Sequence, residues 1–239
     1  MGGFGYDRDI IEQFPGVRGS VIHATKLMNG PTTPELRDAY EAEQLDVIKQ
    51  IGDTPLSAIP SLEAWRRTFS AFGVKPTQYR SAAEALLRRL TKQGDIPSIN
   101  TLVDMANLIS IRYCLPIAAC DQVSVTGVTT VRFATGEERF TDLGSGETTN
   151  PEPSEVVFVD DDLLASARRW CWRQSMESAA GPETVEAIFT IEAQHEGAEA
   201  DVNRATDDLE ELLSVFQPQA QTTHGILSPD SPWFMFGAG

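Results

Sequence analysis

Apolar residues recur every three or four positions through much of the first half of the chain, which is the spacing of amphipathic helices. The first predicted helix begins at the candidate N-cap Thr33 and runs to residue 51. The second starts at Ser61 and stops at Gly73, and the third begins at Ser81 and ends at Gly94. The pattern therefore predicts three helices, each with an apolar side that needs a packing partner.

A fourth helix is predicted from Ser98 to Tyr113, where the residues are apolar nearly all round. Its polar exceptions, Asn100, Asp104 and Asn107, fall at i, i+4 and i+7 and would share one face of the helix. Buried polar groups need hydrogen-bond partners. Two interpretations follow: the three side chains bond to neighbouring backbone and hold loops in place, or they line a ligand pocket.

The pattern changes after Val123 to short runs of β-branched and aromatic residues separated by turn residues. Strands are predicted at 128–133, 138–143, 155–159 and 187–191, and a last helix at 198–216. Helices followed by strands indicate an α+β fold, with a mixed sheet packed with helices. Residues 217–239 are rich in Pro, Gln, Ser and Gly, and we expect a flexible tail that docks through Trp233, Phe234 and Phe236.

The charge of the chain argues against a general nucleic-acid binder, because 35 acidic and 19 basic residues leave a formal net charge of -16. The basic residues are nevertheless concentrated between Trp65 and Lys92, where the only acid is Glu84. Aromatic residues interleave with them, so this segment is the best candidate for contact with RNA phosphates and bases. The alternative is that these cations pair with the protein's own acids. The candidate RNA-binding residues are Arg66, Arg67, Lys75, Arg80, Arg88, Arg89 and Lys92.

A second aromatic and basic cluster lies at residues 168–173, where three arginines surround Trp170 and Trp172. In an extended segment, both tryptophans would point to the same side. They form either the wall of a cavity or part of the core, with the arginines stacked on their rings.

Several kinds of site are excluded, because the chain has no GxSxG elbow, no P-loop and no HExxH motif. Its three histidines and three cysteines show no metal-ligand spacing, so we expect no metal and no cofactor. No catalytic residue is assigned. No apolar run reaches the ~20 residues that span a bilayer, and the first residues lack a secretion signal. We therefore expect a cytoplasmic protein that is not associated with membranes.

A family likeness is carried by residues 97–107 (Pro-Ser-Ile-Asn-Thr-Leu-Val-Asp-Met-Ala-Asn) and 115–121 (Leu-Pro-Ile-Ala-Ala-Cys-Asp), and it continues through Val131–Ala134 and Ile191–Ala193. This series resembles the B3/B4 editing domain of the phenylalanyl-tRNA synthetase beta subunit over residues 80–195. Residues 1–80 are similar to an N-terminal helical extension found in free-standing members of that family. The resemblance implies one domain over residues 1–216, in which residues 196–216 form a C-terminal helix.

The resemblance also implies a site. In the synthetase this domain hydrolyses tyrosine that is esterified by mistake to the phenylalanine tRNA, and a glutamate bonds the tyrosine hydroxyl. Glu192 corresponds to that glutamate and Asn107 to a family asparagine, whereas Ala106 and Ala118 stand at family threonine and histidine positions. We expect Asn107 and Glu192 to face one hollow. The predicted ligand-binding residues are Asn100, Asp104, Asn107, Ala118, Trp170, Trp172 and Glu192.

Three functions follow from these observations. The first is a trans-editing protein that hydrolyses a mischarged aminoacyl-tRNA and has no synthetase activity by itself. Hydrolysis would not need a protein nucleophile, because an ester to the terminal ribose is already activated. The second is a non-catalytic protein that binds a free amino acid or small metabolite. The third is an RNA-binding adaptor, which would show steep salt dependence.

Overall fold

The computed structural model describes residues 1–237, which form helices and two main sheets. The α+β prediction is therefore confirmed. In chain order the elements are β1 (Gly2–Tyr6), α1 (Arg8–Gln13), β2 (Arg18–Thr25), α2 (Pro34–Ile51), α3 (Pro60–Ala71), α4 (Ala82–Gln93), α5 (Thr101–Tyr113), β3 (Ile117–Asp121), β4 (Val128–Phe133), β5 (Phe140–Thr141), β6 (Thr148–Thr149), β7 (Val156–Val159), β8 (Ala165–Arg168), β9 (Arg173–Gln174), β10 (Glu186–Ala193), α6 (Ala198–Phe216), β11 (Gln221–Leu227) and β12 (Trp233–Phe236).

Two sheets make up most of the β structure. The four-stranded sheet has the order β11-β2-β10-β3 and is antiparallel throughout. The six-stranded sheet has the order β12-β1-β4-β7-β8-β9 and is mixed, because β1 and β4 run parallel. Strands β5 and β6 form a separate pair. The mixed sheet expected from the sequence is present, beside a second sheet of only antiparallel strands.

The four-stranded sheet separates two hydrophobic cores. On β10, Phe189 and Ile191 belong to the core shared with helices α2, α4, α5 and α6. Ile188 belongs instead to the core shared with the six-stranded sheet, together with Phe4 and Trp170. Successive side chains of a strand point to opposite faces, so this alternation assigns each residue of β10 to one core.

The helix ends follow local sequence signals. Thr33 Oγ1 accepts a hydrogen bond from the backbone N–H of Leu36 and caps α2, and Ser81 Oγ accepts from Glu84 N–H and caps α4. Gly94 ends α4 with a φ of 86°, a left-handed conformation that glycine adopts at low cost. Helix α5 begins later than predicted, at Thr101, because Asn100 is its N-cap.

The predicted mobility of the tail is wrong for residues 217–237, whereas the predicted docking agrees with the packing of Phe234 and Phe236. Residues 221–227 pair with β2, and residues 233–236 pair with β1, so the segment after Gln217 adds an edge strand to each sheet. Phe236 is 7% exposed and stacks on His23 with 4.2 Å between ring centroids. The composition of this segment suggested mobility. In the last strand, however, the side chains at alternate positions, Phe234 and Phe236, pack in the core between the sheets.

The N-terminal segment is also more than a helical extension. Strands β1 and β2 both lie within its first 25 residues, and β2 is an inner strand of the four-stranded sheet. These residues therefore belong to both sheets of the fold. No helix among residues 1–237 is long and apolar enough to cross a membrane.

Candidate functional site

The Glu192 carboxylate lies between the two sheets and is 2% exposed. Its Oε1 accepts two hydrogen bonds of 2.9 Å, one from the phenol of Tyr6 and one from the indole N–H of Trp170. No group in residues 1–237 donates to Oε2. Burial raises the pKa of Glu192 to about 7, although the two hydrogen bonds act in the opposite direction because they stabilise the ionised form.

Glu192 lines a cavity of about 100 Å³. Three predicted residues line it too: Ala118, Trp170 and Trp172. The cavity is smaller than the ~300 Å³ at which pockets for drug-sized ligands begin. Four of the seven predicted ligand-binding residues therefore meet in one small cavity.

Asn107 lies elsewhere, in a cavity of about 350 Å³ lined by helices α4 and α5 and by Ala119. The expectation that Asn107 and Glu192 face one hollow is wrong. Helix α5 packs on the face of the sheet that carries Phe189, whereas Glu192 points to the opposite face, with Ile188. The two cavities meet around the edge strand β3, where both are lined by Ala82, Ile117, Trp172 and Gln174.

The prediction that Asn100 and Asp104 bind a ligand is not supported by their positions, because both hold backbone and loops. Asn100 caps α5 by accepting from Val103 N–H and donates to the Ala180 carbonyl. Asp104 is fully buried and accepts hydrogen bonds from Thr32 Oγ1, from the Ile99 N–H and from the Ser98 hydroxyl. For these two residues, the interpretation that they hold loops in place agrees with the contacts.

The residues around Trp170 and Trp172 form a tight turn between β8 and β9, so they are not extended as assumed. Arg169 and Trp170 both have left-handed backbone, with φ values of 46° and 61°. Trp170 is fully buried in the aromatic core, whereas Trp172 is partly buried. The Arg169 guanidinium lies 4.0 Å from the ring centroid of Tyr79 and 4.6 Å from that of Trp172. The two tryptophans thus serve both as core and as cavity wall.

The cations of residues 66–92 divide into two groups. Arg66 and Arg80 pair with the buried Glu84, while Arg67 pairs with Glu63 and Arg89 with Asp95. The described residues offer no carboxylate partner to the other three, which are Lys75, Arg88 and Lys92. Pairing with the protein's own acids therefore accounts for four of the seven candidate RNA-binding residues.

Tyr6, which bonds to Glu192, is a site residue that the sequence reasoning missed, and so is Arg173, which lines the same cavity as Glu192. Strand β1 reads Gly2-Gly3-Phe4-Gly5-Tyr6, and Phe4 and Tyr6 both point into the aromatic core. The alternation of glycine and aromatic residues was a period-two signal for a strand. Within the described part of the chain, no cluster of three His, Cys, Asp or Glu side chains could hold a metal ion.

Comparisons with known proteins agree with the resemblance seen in the sequence. The family model described as B3/4 domain matches residues 64–209. The beta subunit of phenylalanine–tRNA ligase from Shewanella oneidensis is 31% identical over 94 residues, which are 39% of this chain and 12% of that protein.

A solved N-terminal fragment of the phenylalanyl-tRNA synthetase beta subunit from Pyrococcus horikoshii superposes with a TM-score of 0.46 and 9% identity, over 92% of this chain and 50% of that one. The chain thus spans a small part of its curated relative and half of this solved fragment. Because the family model matches more than half of the residues, the chain belongs to the B3/4 domain family.

Proposed function

We propose that this protein hydrolyses an aminoacyl ester of tRNA, as a trans-editing protein, with Glu192 as the general base. One observation carries the proposal: a buried carboxylate at a cavity has Oε1 held by two donors and Oε2 free of any donor in residues 1–237. Its pKa of about 7 is close to the value at which a general base works best near neutral pH. Strongly shifted acids in clefts are candidates for functional groups.

The chemistry balances with one water molecule. A water that donates a hydrogen bond to Oε2 of Glu192 gives up this proton as its oxygen attacks the carbonyl carbon of the ester. The bond between that carbon and the ribose oxygen then breaks, and the proton passes from Glu192 to the ribose oxygen. Tyr6 and Trp170 would hold the carboxylate in place and favour its ionised form before the attack.

The dimensions of the cavity favour a small aminoacyl group. A volume of about 100 Å³ leaves little space beside the water. Tyr6 already supplies a phenol to Oε1 of Glu192, so a tyrosine substrate would have to share this carboxylate with it. We therefore propose esters of small amino acids as substrates, in place of the tyrosyl ester implied by the family resemblance. Trp172 and Arg173 line the same cavity, and a ring beside a guanidinium suits the terminal bases of tRNA.

The test is deacylation of tRNAs charged with glycine, alanine, serine, tyrosine or phenylalanine. We expect the esters of small amino acids to be hydrolysed faster than in buffer, and Glu192→Gln to reduce the rate by about 10²-fold or more. Glu186→Gln is the matched control, since it makes the same change at the other end of β10. Full activity of Glu192→Gln would contradict the general base, and an absence of hydrolysis would contradict the editing function.

A second candidate is a binding protein for a small metabolite, without turnover. It is favoured by the size of the cavity and by the two internal donors that already occupy Oε1 of Glu192. Thermal shift measurements against a panel of small metabolites separate the two functions. Stabilisation by a ligand, together with no deacylation, supports the binding protein.

A further inference from the structure

A polar cavity of about 320 Å³ lies away from Glu192, between the end of α2, helix α3 and helix α4. Three cationic side chains line it: Arg66, Arg88 and Lys92. The hydroxyl residues Thr54 and Ser57 also line it, on the segment that joins α2 to α3. These five residues supply hydrogen-bond donors to the cavity from two helices and from the segment between α2 and α3.

Two of these cations lack a carboxylate partner among residues 1–237. Arg88 and Lys92 are exposed and stand four residues apart on α4, so their like charges destabilise the helix slightly. The chain has 35 acidic residues against 19 basic ones, and on the neighbouring helix α3 the cation Arg67 pairs with Glu63. Two unpaired neighbouring cations at the edge of a cavity therefore indicate that an anion belongs there.

Arg66 faces the cavity in a fixed orientation. Its Nε and Nη2 groups both donate to the Glu84 carboxylate, 2.9 Å and 2.5 Å away, which leaves Nη1 without a partner in residues 1–237. Glu84 also pairs with Arg80, so two guanidinium groups share its charge. Asp53 is the other carboxylate that lines the cavity. Three cations therefore face two carboxylates in this cavity, and Arg80 outside it shares the charge of one of them, Glu84.

We propose that this cavity binds a phosphate group, through Arg88, Lys92 and Arg66 and the hydroxyls of Thr54 and Ser57. A phosphate has enough negative charge and enough acceptor oxygens to bind the Arg66 guanidinium, the two exposed cations and the two hydroxyls at the same time. The phosphate comes from the backbone of an RNA or from a small free phosphate compound. The inference does not depend on ester hydrolysis at Glu192.

The experiment compares two double variants with the same net charge. Arg88→Gln/Lys92→Gln removes the two exposed cations of the cavity, while Arg37→Gln/Lys26→Gln removes an exposed arginine and an exposed lysine outside it. Affinity for inorganic phosphate is measured by calorimetry, and affinity for uncharged tRNA by fluorescence anisotropy at several salt concentrations. Denaturation curves establish that both variants are folded.

We expect the cavity variant to bind phosphate about tenfold more weakly than the control variant. If the natural source is RNA, tRNA affinity also falls and the slope of log affinity against log salt decreases by about 1. If tRNA binding is unchanged while phosphate binding is lost, the source is a free phosphate compound. Equal affinities of the two variants for both probes would overturn the inference, whatever the outcome of the deacylation test.

Discussion

The phenol oxygen of Tyr6 lies 2.9 Å from Oε1 of Glu192, although 186 positions separate the two residues in the chain. Tyr6 belongs to the six-stranded sheet and Glu192 to the four-stranded sheet. One buried hydrogen bond therefore joins the two sheets at the candidate site. The group that positions the proposed base is part of the interior packing, so stability and activity are linked at this point.

The stability of the protein should depend on pH through Glu192. Its ordinary pKa is 4.5, and in the folded protein the pKa is about 7. Between these values the folded state binds more protons than the unfolded state, so the free energy of unfolding falls as the pH rises through this window. The loss should reach about 3 kcal/mol once Glu192 is ionised in both states.

Urea denaturation of the wild type and of Glu192→Gln checks this pH dependence. The difference in unfolding free energy between the two proteins should change between about pH 4.5 and 7 and should be constant above that range. Other titrating groups are common to both proteins, so their contributions cancel. Parallel curves across the whole range would show that burial does not raise the pKa of Glu192.

Gly19 should be needed for the contact between Tyr6 and Glu192. It stands opposite Glu192 in the sheet, and a Cβ at this position would lie 2.3 Å from the Tyr6 hydroxyl oxygen. Gly19→Ala would therefore push the phenol away from the carboxylate, at a cost of about 1–3 kcal/mol in unfolding free energy. Gly16→Ala is the control, because its nearest neighbour atom would be 3.6 Å away.

A double-mutant cycle tests whether the Tyr6 hydroxyl is the cause of the destabilisation by Gly19→Ala. In a Tyr6→Phe background the hydroxyl is absent, and the next atom of the Tyr6 ring system lies 3.3 Å from the added Cβ. Gly19→Ala should then cost clearly less than in the wild type, measured by urea denaturation. The same cost in both backgrounds would mean that Gly19 is required for some other reason.

Asp104 should contribute more to the free energy of unfolding than Asn107. Asp104→Asn removes a fully buried carboxylate that accepts hydrogen bonds from Thr32 and Ile99, and it places an amide donor against them. It should lower the unfolding free energy by about 3 kcal/mol. Asn107 lines a cavity, so Asn107→Ala should lower the unfolding free energy by less than about 1 kcal/mol. The opposite ranking in denaturation experiments would contradict the loop-holding role of Asp104.

The local parts of this fold were predictable from the sequence. Thr33 and Ser81 act as helix caps through contacts within three residues, and Gly94 ends α4 by its own conformation. The role of Asn100 was misjudged, because an N-cap and the first residue of a helical face look alike in a pattern of i and i+4 spacing. Only the start of the helix distinguishes the two.

The site was predictable only in part. Glu192, Ala118 and Trp170 were all predicted as ligand-binding residues, and all three line one cavity. The position of Asn107 depends on which face of the sheet α5 packs against, and no local pattern states this. The bond from Tyr6 was equally invisible, because its partner lies in a different sheet.

The last strand should contribute to stability rather than move freely. Phe236 is 7% exposed and stacks on His23, so Phe236→Ala should lower the unfolding free energy by about 3 kcal/mol or more, as in other cores. Met235→Ala is the neighbouring control: its side chain is 47% exposed, and the change should cost below about 1 kcal/mol. Thermal and urea denaturation measure both. A mobile segment would make Phe236→Ala as harmless as Met235→Ala, because neither side chain would then be packed against β1 and β2.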